Sequence, residues 1–498
     1  MPFPFTLPTT SPLSLPSHFD SPTHPSLPTR TSTLRASLRT SLKTFKRLPP
    51  PLRASHLPHL LSALEAYYPP LLALDAGLTP SSPLGIDVLL TSTPSFSWRP
   101  TLTSSSSIPG SRRLPLTSLE YEIFFTLATL SYTHTLLARS ALHPLYTTAA
   151  ASPSPQQRTA LITKATKHLL QSAQIHLHLA HRADALRTTS PLTPPALDIA
   201  PSTLRALSEL AHAEATLLAV LKDDPYPPAL AQQRNENDKE WMIRAPPIPK
   251  VRAHLFARLC LAGAAHAATA SSLLAGNEAT EGKLLGRVGA GKVDADLLRY
   301  VDDLRRVGRA KACRFLGVDR DLDGKTGEAI AWLRAGMAEL GVSSPLSGSS
   351  SSDADKKRTG LGFSRFKTSL SEKREDKRVE KSGDWGADAG VAEEARVLAA
   401  LEKKWVREND TVNTQRIPSA TEVVGGGMPS GREIYSVGEW EMVRLGGEEL
   451  RGMRGVPGEG EGGGRVVILR RRGRRGIGLL LVRFRGVGGI IREGGRGV

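Results

Sequence analysis

The chain has 498 residues, and 65 Lys and Arg against 48 Asp and Glu leave a net charge of +17. Only 5% of the residues are aromatic, whereas glycine and proline number 44 and 37, so part of the length lacks the material for a packed core. Two cysteines, Cys260 and Cys313, exclude a disulfide framework and a cysteine-only zinc site, and fit a reducing compartment. No apolar run approaches the ~18 residues of a membrane helix. The start, MPFPFTLPTTSPLSLP, lacks both the basic opening and the unbroken apolar stretch of a secretory signal. A soluble intracellular protein, or one recruited to a surface from outside, is therefore expected.

Residues 1–30 are rich in Pro, Ser and Thr, show no period, and are set apart as an N-terminal segment. Leu34, Leu38, Leu42 and Phe45 recur at helical steps and predict a helix over 34–48, stopped by Pro49, Pro50 and Pro51. Leu57, Leu60, Leu61 and Leu64 predict a second over 56–68, broken by Pro69 and Pro70. A Ser-rich loop at 101–115 leads to a long helix over 116–146, with Ser118 as its cap and Pro144 near its end. Further helices are predicted over 156–186, 202–221, 229–243, 251–275, 293–315 and 328–340. No alternating strand is found in 30–340. The Ala-rich faces around Ala262, Ala265 and Ala268 let helices approach closely. The expected body is all-α, built from stacked antiparallel helix pairs over 31–342.

After 342 the composition changes. Residues 343–390, Ser, Gly and mixed charge, predict a disordered linker. Ala395, Leu398, Leu401 and Trp405 predict one amphipathic helix over 391–408, packing back on the body. An extended tail follows over 409–498, of low complexity after about residue 445. The basic surplus gathers there. From Tyr435 onward 13 arginines face seven glutamates, and from Asp353 to Lys381 ten basic residues face six acidic ones. Mixed runs of this kind read first as solvated segments. Attraction of RNA or anionic membrane by the Arg/Gly tail is the second functional class.

Tests for chemistry return little. Gly286, Gly291 and Lys292 have the spacing of a phosphate-binding loop, but Val293 stands where a hydroxyl is required. Gly324-Lys325-Thr326 lacks the upstream glycine, having Asp319 there. Gly362-Phe363-Ser364-Arg365-Phe366 lacks the closing glycine of a nucleophile elbow. Histidines cluster at His168, His176, His178 and His181, and a zinc enzyme around the last three is the third class. Catalytic residues, cofactor and metal are not expected, and the residues by themselves point to a helical interaction scaffold.

Several strings resemble one family. ATKHLLQSAQIHLHLAHRA (165–183) and LAHAEATLLAVLKDD (210–224) resemble two helices of BRO domains. MPFPFTLPTTS at the start, SLEYEIFFTLATLSYTHTLLAR (118–139), NDKEWMIRAPPIPKVRAHLFARLCLA (237–262), GKVDADLLRYVDDLRR (291–306), ENDTVNTQ (408–415) and MPSGREI (428–434) resemble the fungal pH-response members of that family. The chain departs from BRO domains at His168, Leu169, Ile175 and His176, where aromatics are usual. After Tyr435 the resemblance stops; Gly, Arg and Glu replace a Pro-rich end, as a shifted reading frame would produce. The resemblance implies a BRO-like helical solenoid and a non-enzymatic adaptor in alkaline-pH signalling. Such an adaptor binds the C-terminal amphipathic helix of an ESCRT-III polymer subunit. It serves a complex in which a calpain-like protease activates the transcription factor pacC. Leu217 and Leu230, with Leu218 beside them, fall at the family's partner-binding positions.

Overall fold

The computed structural model describes residues 1–79, 85–104, 113–146, 153–189, 196–233, 250–284, 292–342, 385–455, 466–473 and 476–483. The long helices are α1 (Ser26–Arg47), α2 (Pro50–Gly77), α3 (Leu119–Leu142), α4 (Pro155–Thr189) and α5 (Pro201–Asp223). After the short α6 (Tyr226–Gln233) come α7 (Lys250–Leu284), α8 (Ala295–Leu322), α9 (Thr326–Glu339) and α10 (Val391–Glu408). They stack in nearly chain order: α1 on α2, α2 on α3, α3 on α4, α4 on α5, α5 on α7, α7 on α8, α8 on α9, and α10 against α8 and α9. This is the all-α arrangement of stacked antiparallel pairs. Small residues set the close approaches. A Cβ on Gly308 of α8 would lie 3.1 Å from the Cys260 carbonyl of α7. One on Gly336 of α9 would lie 3.2 Å from the Ala310 carbonyl of α8.

Three expectations change. α2 does not stop at Pro69; it continues through Pro69 and Pro70 to Gly77. The two prolines deprive preceding carbonyls of donors, but Tyr67, Tyr68, Pro69, Pro70 and Leu71 are all buried, and their packing outweighs the local penalty. Short strands do occur. β1 (Thr9–Thr10), β4 (Phe96–Arg99) and β6 (Leu114–Leu116) form one antiparallel sheet. β2 (Phe19–Asp20) pairs with β3 (Leu89–Leu90), and β5 (Thr103–Ser104) with β7 (Lys292–Val293). Strands of two to four residues are too short to leave an alternation in the sequence. Finally, Arg252–Gly276 within α7 is long and apolar enough to cross a membrane by length and composition. Its apolarity comes largely from alanine, and it is sandwiched between α5 and α8.

The N-terminal segment is built into the core, with Phe3, Phe5, Leu7, Leu15 and Phe19 all buried. Buried ions fasten the element ends. Arg35 of α1 donates through Nε to Glu122 Oε1 at 2.8 Å and through Nη1 to the Ser11 carbonyl at 2.7 Å. Tyr67 Oη donates to Glu122 Oε1 at 2.8 Å, and the Trp98 indole donates to Glu122 Oε2. At the other end Arg314 of α8 donates to Asp224 Oδ2 and Glu394 Oε1, each at 2.6 Å, and so ties α5, α8 and α10 together. Lys311 Nζ adds a 2.7 Å bond to Glu394 Oε2.

The predicted linker falls outside the described residues as far as 384. Trp385 is buried, with the Arg139 guanidinium 4.4 Å over its ring. The tail is not free of the body. Gln415 accepts from Gly327 N at 3.0 Å and donates to the Gly324 carbonyl at 2.7 Å. From there the chain runs back along the stack. Trp440 packs on Tyr68 and His178 at 5.5 and 5.4 Å, Glu449 accepts from Arg30 at 2.9 Å, and Gly455 N donates to the Thr23 carbonyl at 2.9 Å. The composition break after Tyr435 is therefore not a structural break; 436–455 are seated on the body. Beyond it, β8 (Val466–Gly473) and β9 (Gly476–Arg483) pair antiparallel, where the sequence predicts only extended chain.

Candidate functional site

The returning tail crosses α7 and α5 with a set of polar contacts. Gly431 lies flat on α7: a Cβ there would sit 3.0 Å from Ala262 N and 3.1 Å from Ala262 Cα. Glycine is needed for that approach. On either side of it, Arg258 Nε donates to the Ser430 carbonyl at 3.0 Å and Arg432 N donates to the Arg258 carbonyl at 3.1 Å. Beneath, α5 and α7 meet closely at Gly263, whose Cβ position would be 3.1 Å from Leu217 Cγ.

One turn along, four side chains converge. Glu209 and His212 are i, i+3 on α5 and share a face. His266 of α7 bridges two carboxylates, with Nδ1 2.6 Å from Glu209 Oε2 and Nε2 2.9 Å from Glu433 Oε2 of the tail. The His212 ring lies 4.0 Å from the His266 ring, and its Nε2 donates to the Tyr435 carbonyl at 3.1 Å. Burial disfavours charge on His266, but the hydrogen bonds it donates to both carboxylates outweigh it and raise its pKa. His212 is pushed the other way, by burial first and by the neighbouring His266 second.

The histidines predicted on α4 do not converge. His176 is buried against Tyr132, and burial lowers its pKa to about 3. His178 faces Trp440, and His168 is 3.1 Å from His134 of α3. Among the described residues, the His/Cys/Asp/Glu group that gathers three donors is Glu209, His212 and His266. The sequence reading passed over it. Its local signal was the Glu209/His212 spacing; the partner on α7 is far away in the chain.

A second junction lies under the N-terminus. Glu214 accepts from Phe3 N at 3.0 Å and from Tyr300 Oη at 2.7 Å. Burial raises its pKa to about 7 against the pull of these donors. The Phe5 ring stacks on Tyr132 at 4.6 Å, and Arg139 donates to the Pro2 carbonyl at 3.0 Å.

No family model matches the chain. The chain is 44% identical over 490 residues to the pH-response regulator protein palC of Emericella nidulans, covering 92% of this chain and 93% of that one. This chain belongs to the palC family. Among solved structures it is similar to the ALIX BRO1 CHMP4C complex, at 15% identity, TM-score 0.47, and 89% and 96% coverage of the two chains. It is also similar to ALIX in complex with a viral late-domain peptide (16%, 0.47, 88% and 48%). A third is the Bro1 domain structure titled for endosomal targeting (15%, 0.43, 91% and 96%).

The palC-like strings meet in space. MPFPF, the helix of Tyr132 and Arg139, the helix of Glu214 and the helix of Tyr300 share the N-terminal junction. MPSGREI lies on RAHLFARLCLA. ENDTVNTQ closes on α9 through Gln415, and Asn413 Nδ2 donates to Thr326 Oγ1 at 2.9 Å.

The three leucines expected at partner-binding positions are placed differently from one another. Leu217 is 8% exposed and packs between α5 and α7; Leu218 is 4% exposed and joins a cluster with Ala138, Leu142, Ile162 and Leu169. Leu230 on α6 is half-buried at the edge of the core. In this conformation they do not form one open patch.

Proposed function

We propose that the chain is a non-enzymatic, BRO-type adaptor of alkaline-pH signalling. It binds the C-terminal amphipathic helix of an ESCRT-III polymer subunit and supports activation of pacC by a calpain-like protease. The reading is carried by the palC relationship across nearly the whole chain. The architecture agrees with it, because a rigid stack of helices with buried ion clamps suits presentation of a surface to a partner helix. Leu230 is the anchor of choice, since it keeps accessible surface. Leu217 and Leu218 are buried, in separate core clusters. Recruitment to plasma-membrane or endosomal sites then follows from the partner. The experiment is replacement of palC in Emericella nidulans by this chain. Restored pacC cleavage at alkaline pH supports the reading; well-expressed, folded protein without cleavage contradicts it.

A further inference from the structure

We propose that Glu209, His212, His266 and Glu433 form a binding site for a divalent transition-metal ion of the zinc class, which staples the returning tail to α5 and α7. One ligand atom each from Glu209, His212 and His266 lies within 4.8 Å of the others. Glu433 Oε2 is the donor from the tail, 2.9 Å from His266 Nε2 and 4.0 Å from His212 Nε2. Ligands at about 2.0 Å from a tetrahedral ion sit roughly 3.3 Å apart, and these separations straddle that value. Two imidazoles and one carboxylate, with water in the fourth position, are a donor set suited to zinc.

Glu209, His212 and His266 stand on rigid packed helices, whose spacing at this point is fixed by Gly263 against Leu217 and Ala213. Glu433 is on the tail, and its side chain is 59% exposed, free to adjust. The supporting contacts needed around a metal site are also present. Ser430 and Arg432 hold the tail to Arg258. When one nitrogen of a ligating histidine is on the ion, its other nitrogen is oriented by a carboxylate or carbonyl. Glu209 on His266 Nδ1 is placed for that service and aims His266, whose Nε2 faces the ion beside His212 and Glu433. The ion takes the place of the hydrogen bonds that now join His266 to Glu433 and His212 to the Tyr435 carbonyl, and ties body to tail by bonds that water does not readily replace.

The test is cobalt(II) titration of the full chain, followed by displacement with zinc and metal analysis after dialysis. The expected result is one cobalt per chain with the intense visible bands of a tetrahedral site, lost on adding zinc. Glu433→Gln, at an exposed position, is expected to weaken binding by roughly tenfold or more, and His266→Asn to abolish the bands. Zinc is also expected to protect the 416–430 segment from proteolysis in the wild-type chain and not in Glu433→Gln. Absence of the bands in the folded wild-type chain overturns the proposal. So do bands that survive in both variants, since the ion then lies elsewhere.

Discussion

Removing the Arg314 guanidinium tests how the last helices are fastened. Arg314 and Glu394 are fully buried and Asp224 is 1% exposed. The guanidinium holds both carboxylates with bonds of 2.6 to 3.3 Å from Nε, Nη1 and Nη2. Arg314→Met keeps the apolar stem and removes the charge. It leaves Asp224 and Glu394 facing each other with Lys311 alone, an uncompensated buried charge that costs about 3–5 kcal/mol. With an unfolding entropy of about 2.1 cal/mol/K per residue and roughly 400 cooperative residues, the midpoint falls by about 4–6 °C. Calorimetric melting at neutral pH measures it, and hydrogen exchange locates the damage, which is expected first in Val391–Glu408. Arg314→Lys is expected to recover little, because a single ammonium cannot grip two carboxylates at once. A loss below about 1 kcal/mol would refute the reasoning and place the clamp among interactions of negligible net worth.

Other expectations follow from the same geometry. Leu217→Ala is expected to cost about 2–5 kcal/mol in chemical denaturation, while half-buried Leu230→Ala costs about 1 kcal/mol or less; equal losses would contradict the assigned burial. Glu214 holds its proton more tightly folded than unfolded, since about 7 lies above the ordinary 4.5. Its ionisation therefore costs nothing below about pH 4.5, and the cost grows as pH rises through 7 to roughly 3 kcal/mol. Glu214→Gln should remove that loss, so its stability relative to wild type rises between pH 4.5 and 7; a flat difference would contradict the burial argument. Gly431→Val places carbon against the α7 backbone at Ala262. It should speed exchange of the Arg432 amide and cleavage within 416–445 while leaving the melting midpoint nearly unchanged. Unchanged exchange would show that the tail is held by other contacts.

The helices were legible because leucine and alanine recur at helical steps on faces that the stack buries. Leu398, Leu401 and Trp405 mark a helix whose observed bounds, Val391–Glu408, are those read from the pattern. What proline does was less legible. At Pro49 it ends a helix, but at Pro69 and Pro70 a buried neighbourhood carries the helix onward, and only tertiary packing distinguishes the two. The role of the first residues was hidden for a different reason. Phe3 and Phe5 have no period, and their pockets are made by Tyr132 and Tyr300, remote in the chain. The histidine pattern on α4 pointed to the wrong place, since His168, His176 and His178 meet His134, Tyr132 and Trp440 instead of each other. The cluster that does form joins one helix, a second helix and a returning tail, and no window of sequence contains it.

The most direct test of the adaptor account is calorimetric titration of the full chain with the C-terminal helix peptide of the ESCRT-III polymer subunit. The full chain is required, because residues 415–455 cover α5, α7 and α1 and belong to the native surface. The account expects micromolar, one-to-one binding that Leu230→Asp weakens by roughly tenfold, or about 1.4 kcal/mol, in a protein that still melts cooperatively. No binding by the folded, helical full chain would contradict it.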